Sequence, residues 1–194
     1  MKLSPVFAIT VTSAAMLATA PAMAHTGSET AAGLIAGFAH PFTGLDHLLA
    51  MLAVGIWAAQ QKGRLQLSIT ATFIALLLTG FISAVNGFVM PLMEGTIATS
   101  LLVSGLLICC AARLPAQISL ALTAVFALAH GQAHGIEVVG ISAVLFAAGF
   151  IAGSALLQFF GAVSAQALQP RMPLILKTFG GITALMGTAL LLTA

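Results

Sequence analysis

Long apolar runs separated by short polar breaks dominate this chain of 194 residues. Beyond residue 43, six runs lie roughly at 44–60, 66–88, 94–112, 116–132, 137–163 and 174–193. Most of them approach the ~20 residues that a helix needs to cross ~30 Å of hydrocarbon. The runs lack the period-two alternation that barrel strands would show. The pattern therefore predicts an all-α, polytopic membrane helix bundle with six transmembrane helices over 44–194.

Residues typical of turns occupy the breaks between the runs. They are Lys62-Gly63-Arg64, Asn86-Gly87 with Pro91, Arg113-Leu114-Pro115, the stretch 131–135 and the stretch 169–173. The pattern thus predicts a turn within 131–135. A further apolar piece, 31–39, precedes the first run and predicts a half-helix within an outer N-terminal segment, 25–43.

Composition excludes a soluble domain. The chain is 60% hydrophobic and 5% charged, whereas a soluble domain carries about a quarter charged residues. The few basic residues are scattered, so nucleic acid is not an expected partner, whereas membrane lipid is. Cys109 and Cys110 are adjacent within an apolar run and form no CxxC pattern, which favours small buried side chains over a redox or metal motif.

The first 24 residues match a secretory signal peptide. Lys2 precedes an apolar run over 6–20, and Ala22-Met23-Ala24 forms a small-x-small cleavage site. A retained transmembrane helix is the alternative. Cleavage after Ala24 would leave His25 as the N-terminus outside the cytoplasm, where its α-amine and imidazole could chelate a divalent metal ion.

Charge predicts the orientation of the bundle. With the N-terminus outside and six spans, the C-terminus is also outside, and the odd-numbered loops face the cytoplasm. Those loops and their flanks hold every basic residue after the signal peptide: Lys62, Arg64, Arg113, Arg171 and Lys177. This distribution follows the positive-inside rule. Every histidine and acidic residue of the mature chain then falls toward the outer side, namely His25, His40, His47, His130, His134, Glu29, Asp46, Glu94 and Glu137.

The first polar cluster lies in the stretch HPFTGLDHLLAM, residues 40–51. Pro41 suits the first position of a helix, which would make His40 a cap-like residue at a break in the backbone. His47 and Met51 are four residues apart and share a helix face. Asp46 points about 100° away and could either bind a metal directly or orient an imidazole. The alternative is an N-capped helix with histidines at the headgroup level.

The second cluster is HGQAHGIE, residues 130–137. On a continuous helix His130, His134 and Glu137 lie within about 60° of one another. Imidazole and carboxylate are ligands that suit Ni, Co and Zn. Gly131 and Gly135 could let another helix approach or could break this one. A polar turn between two spans is the alternative, and in that case the residues would still gather at the outer end.

The stretches HPFTGLDHLLAMLAVGIWA and FALAHGQAHGIE closely resemble those of the HupE/UreJ family of bacterial nickel and cobalt permeases. The signal peptide and the six-span layout match as well. The resemblance implies secondary uptake of Ni²⁺ or Co²⁺ across the inner membrane, with a periplasmic metal site, to supply hydrogenase or urease. It implies no prosthetic group, and a homo-oligomer is an open option. By motif position it points to six ligands: His40, Asp46, His47, His130, His134 and Glu137.

Two other classes of function remain open from the residues. An intramembrane zinc hydrolase would need three protein ligands, an open position for water, and an acid or base such as Asp46 or Glu137. A metal sensor or a structural subunit would not move ions. For a permease, no ionisable residue lies deep between the two clusters and the cytoplasmic side, so the predicted exit path relies on Asn86, hydroxyl groups, methionines, backbone carbonyls and water.

Overall fold

The computed structural model describes residues 29–138 and 142–193, and seven helices lie in these two ranges. They are α1 Glu29–Thr43, α2 Leu45–Ala59, α3 Leu65–Val85, α4 Met93–Cys109, α5 Ala116–Glu137, α6 Ala143–Leu168 and α7 Pro173–Thr193. The predicted signal peptide and His25 lie outside the described residues.

The helices of the described ranges confirm an all-α polytopic membrane protein. Four of them, α3, α5, α6 and α7, are long and apolar enough to cross a membrane alone. The helices α1 and α2 meet that condition only as a pair, which is bent by 83°. Helix α4 is apolar but has only 17 residues. The six predicted runs correspond in order to α2–α7, while the count of six spans stays a prediction.

The break at the first cluster lies at Gly44, four residues later than the predicted cap at His40. Pro41 is not the first residue of a helix but lies inside the last turn of α1, so His40 is helical and not a cap. A proline there removes only one backbone hydrogen bond, and the Thr43 hydroxyl donates to the His40 carbonyl at 2.7 Å. Gly44 has an extended backbone and α2 begins directly after it. His40 and His47 therefore belong to two helices that meet at a steep angle.

The predicted turn at 131–135 is also wrong, because α5 continues through it to Glu137. The two glycines of this stretch serve close helix approach instead. A Cβ atom on Gly131 would collide with the Leu77 carbonyl oxygen of α3, and one on Gly135 would lie 2.6 Å from the Phe81 carbonyl oxygen. The backbones of α3 and α5 touch here. This contact stabilises α5 as a continuous helix through residues 131–135.

Small residues also join the other helix pairs, as is usual where lipid removes the hydrophobic drive for association. Gly149 and Gly153, spaced by four residues, both face the backbone of α1 at Leu34 and Phe38. Further along, α6 packs on α2, and α4 packs on α7. Helix α6 therefore packs against both α1 and α2.

The chain direction gives the bundle two chemically different ends. The histidine end is where α2, α4 and α6 begin, and it holds both polar clusters. The basic end is where those helices finish, and it holds Lys62, Arg64, Arg113, Arg171 and Lys177.

Candidate metal centre

Four imidazole rings form a continuous row at the histidine end. The ring of His134 lies 4.6 Å from that of His40 and 4.2 Å from that of His47, measured between centroids. The ring of His47 lies 5.5 Å from that of His130. The bend at Gly44 turns both α1 and α2 toward α5, so the two sequence motifs meet. These four residues are called the histidine cluster below.

The outermost part of the cluster is a set of two imidazoles and one carboxylate. Glu137 Oε2 lies 2.9 Å from His40 Nε2 and 3.7 Å from His134 Nδ1. One ligand atom from each of these three residues lies within 4.8 Å of the others. His134 is buried whereas half of the Glu137 side chain is exposed. This donor set suits Ni²⁺, Co²⁺ or Zn²⁺.

Hydrogen bonds orient the two inner imidazoles. His130 Nδ1 lies 2.9 Å from the Phe126 carbonyl oxygen, which can only accept, so Nδ1 carries the proton. His47 Nδ1 lies 2.9 Å from Asp46 Oδ1 in the same way. In both rings Nε2 is left with its lone pair free, as is usual for metal-binding histidines. Asp46 thus takes the orienting role, one of the two left open by the sequence.

Gly44 makes room for that pair. A Cβ atom at residue 44 would lie 3.0 Å from both Asp46 Oδ1 and His47 Nδ1, which is tighter than ordinary van der Waals contact. The glycine therefore serves as the break between α1 and α2 and also leaves space for the carboxylate and imidazole.

Several imidazole nitrogens are buried without a hydrogen-bond partner among the described residues. They are His47 Nε2, His130 Nε2 and both ring nitrogens of His134. Buried polar atoms are nearly always partnered in native proteins, so each exception needs an explanation. Lone pairs on imidazole nitrogens are donors that suit a transition-metal ion.

Aromatic side chains that the sequence analysis did not single out enclose the cluster. The Phe150 ring lies 4.2 Å from that of His134, the Phe146 ring 5.4 Å from that of His40, and the Phe73 ring 6.1 Å from that of His130. The four-residue spacing of Phe146 and Phe150 was the available signal. The rings shield the imidazoles from bulk water. In the resulting low-dielectric surroundings, electrostatic attraction between the site and a cation is stronger than in water.

A third acidic residue, Glu94, lies near the cluster. Asp46 and Glu94 line a cavity of ≈ 220 Å³ together with Ile97, Ala98, Leu190 and Thr193. Glu94 begins the first turn of α4, and sequence reasoning had placed it at this end without assigning it to the site. Two carboxylates in one cavity beside His47 would raise the local concentration of divalent cations.

Comparison with known proteins identifies the family. The family model described as HupE / UreJ protein matches residues 13–190. The chain belongs to the HupE/UreJ family. A curated relative, "Protein HupE" of Rhizobium leguminosarum bv. viciae, is 35% identical over 185 residues, covering 94% of this chain and 96% of the relative. No solved structure matches the chain. The family resemblance found in the two sequence stretches is therefore confirmed.

Two further polar residues at the histidine end of this HupE/UreJ chain form hydrogen bonds outside the cluster. Asn86 follows α3 at the histidine end, is exposed, and donates from its amide to the Ile82 carbonyl. Its predicted role in an inner exit path is therefore wrong, because α3 runs toward the histidine end. Gln132 lies between two cluster histidines in sequence but on the other side of α5. Its amide accepts from Met90 N–H and donates to Ser83 Oγ and the Phe88 carbonyl.

We expect Gln132→Leu to lower thermal stability without changing the metal site. The substitution removes three hydrogen bonds that hold the α3–α4 connection against α5, and it costs roughly 1–3 kcal/mol. Thermal unfolding of the purified protein in detergent should show the loss. Below the unfolding transition, the Ni²⁺ dissociation constant should equal that of the wild type, and a weakened constant would instead assign Gln132 to the metal centre.

Proposed function

We propose that this protein is a permease for the secondary uptake of divalent nickel, with cobalt as an alternative cargo, across the bacterial inner membrane. One observation carries the proposal: a row of four imidazoles, three of which have buried nitrogens without a hydrogen-bond partner among the described residues, joined at one end by the Glu137 carboxylate. Such a row continues along one direction, which suits passage of an ion. Family membership supports the same reading.

The proposed orientation places the histidine end in the periplasm. The basic end carries Lys62, Arg64, Arg113, Arg171 and Lys177, and cytoplasmic loops are enriched in Lys and Arg. A predicted signal peptide over 1–24 would give the same orientation. The site would then meet ions that arrive from outside.

The proposed mechanism is a stepwise exchange of ligands. Ni²⁺ first replaces water with His40, His134 and Glu137 at the mouth. His134 also contacts His47, so the ion can exchange one imidazole for the next and reach the Nε2 atoms of His47 and His130. Only neutral imidazole binds a metal, so protonation competes with uptake in acid. Hydrogenase or urease maturation is the proposed use of the imported nickel.

An intramembrane zinc hydrolase is the second candidate, and one observation favours it. His40, His134 and Glu137 form a set of two histidines and one glutamate, which is a known ligand set of catalytic zinc sites. A fourth position for water would be needed. Asp46 is hydrogen-bonded to His47, so this enzyme would have to release it to act as a base.

Uptake of radioactive nickel into cells tests the proposal, with His47→Ala and His130→Ala at matched membrane levels. We expect uptake by the wild type and loss in both variants, because each removes one inner imidazole whose Nε2 is free. Competition by cobalt, zinc and copper would then rank the cargo. Copper should compete best on affinity alone, since it leads the Irving–Williams order.

Experiments on the same cells distinguish the permease hypothesis from the zinc hydrolase hypothesis. A purified wild type that retains one inert Zn²⁺, with nickel uptake equal to that of cells lacking the protein, would contradict transport and favour hydrolysis. Folded protein in the membrane, shown by a single symmetric peak on size-exclusion chromatography in detergent, is the required control for each variant.

A further inference from the structure

Two polar side chains of α6 are buried closer to the basic end than Phe150, whose ring contacts His134. Ser154 is fully buried and Gln158 is 1% exposed. Neither the Ser154 hydroxyl nor either amide atom of Gln158 has a hydrogen-bond partner among the described residues. A serine or threonine within a helix often donates to the carbonyl four residues back, and the buried hydroxyls of Thr123 and Thr183 do so. Ser154 and Gln158 instead leave their polar side-chain atoms without a partner among the described residues.

Both residues continue the row of site residues toward the basic end. Phe150, whose ring contacts His134, shares one helix face with Ser154 and Gln158, because the three are spaced by four residues. At 1.5 Å rise per residue, Ser154 lies about 6 Å and Gln158 about 12 Å further along α6. At Gln158 the backbone of α6 touches Gly55 of α2, two turns beyond His47 on that helix.

We propose that Ser154 and Gln158 form an oxygen-donor step that receives the divalent cation from the histidine cluster and passes it toward the basic end. This inference rests on the proposed permease function and extends it to the inner half of the path. The Ser154 hydroxyl and the Gln158 amide carbonyl are the donors. The sequence places no ionisable residue between the two clusters and the basic end, and the neutral oxygen atoms of Ser154 and Gln158 lie in that interval.

The chemistry of the two steps suits inward release. Imidazole binds nickel more strongly than a neutral hydroxyl or amide oxygen, in keeping with the preferences of this metal. A conducting path must bind an ion well enough to admit it and weakly enough to release it. An uncharged oxygen step placed after the histidine cluster provides this sequence of affinities, with tighter binding first and weaker binding next. The buried, unpaired amide also needs a polar companion, which a passing hydrated ion supplies.

Gln158→Leu separates release from binding. We expect the purified full-length variant to bind NiCl₂ with a dissociation constant within about twofold of the wild type, measured by titration calorimetry. Uptake of radioactive nickel should fall at least about tenfold, comparable with the loss of a supporting residue at a metal site. Thermal stability should rise, because an unpaired buried amide is replaced by an apolar side chain of similar size.

Thr183→Val is the matched control, since Thr183 is equally buried but its hydroxyl donates to Phe179 of its own helix. Its uptake should equal that of the wild type. Should Gln158→Leu fail to reach the membrane, Ser154→Ala deletes a single oxygen atom and is expected to lose uptake severalfold with binding intact.

The outcomes are distinct. Uptake unchanged in both α6 variants, with an active wild type, would overturn the oxygen-donor step and leave the permease standing. Binding and uptake lost together in Gln158→Leu would also overturn it, since the residue would then act on the histidine cluster. A wild type that binds no nickel and transports none would overturn both proposals.

Discussion

Replacing His134 with alanine should abolish nickel uptake and remove high-affinity nickel binding together. Among the described residues, His134 has the one ring that contacts both His40 at the mouth and His47 further in. Without it, the outer set keeps one imidazole and one carboxylate, and the next imidazole is out of reach. Substitution of residues that merely support a metal ligand costs about 10–100-fold in affinity or activity. Loss of this ligand should exceed that range, as measured by nickel uptake and by titration calorimetry.

The matched control for His134→Ala is Asn86→Ala. Asn86 is a polar residue at the same end of the bundle, but it is exposed and bonds only its own helix. Its uptake and nickel affinity should equal those of the wild type. Equal affinity of His134→Ala and the wild type would place the binding site elsewhere in the chain and remove the basis for ligand exchange along the row.

Gly131→Ala should be among the most destabilising additions of a single methyl group to the bundle. The new Cβ would collide with the Leu77 carbonyl oxygen and lie 2.8 Å from Phe81 N, both of which are backbone atoms that cannot rotate away. Helices α3 and α5 must separate, and overpacking of this kind costs about 1–3 kcal/mol or more. His130 and His134 flank the contact, so their rings should shift as well. We expect a lower unfolding temperature in detergent and a loss of uptake beyond the loss of protein.

The same substitution at Gly181 provides the control. A Cβ atom there meets nothing within 4 Å, and alanine is the better helix former by up to about 1 kcal/mol. Gly181→Ala should therefore leave stability unchanged or raise it slightly, with uptake intact. Equal unfolding temperatures for the two alanine variants would show that the α3–α5 contact is looser than described.

Local spacing was enough to predict much of the site. His130, His134 and Glu137 were expected on one face, and α5 does carry them on one continuous helix. The two errors in the predictions from sequence, at Pro41 and at 131–135, have a common cause. Proline and glycine were interpreted as helix boundaries, but a last-turn proline costs a single hydrogen bond and the glycines are stabilised by contact with α3. Neighbouring helices decided both cases.

The sequence by itself determined the class of protein, the order of apolar helices, the separation of basic from histidine-bearing ends, and the residues that meet at the cluster. These follow from composition and from the 3.6-residue helical repeat, which act over short stretches of chain. Only the tertiary structure decided that the bend falls at Gly44, that Asp46 orients His47, that phenylalanines enclose the imidazoles, and that Ser154 and Gln158 lack partners. Each of these depends on which helices touch. In an apolar bundle that choice depends on close contacts between small residues far apart in sequence, because hydrophobicity alone does not distinguish one helix face from another.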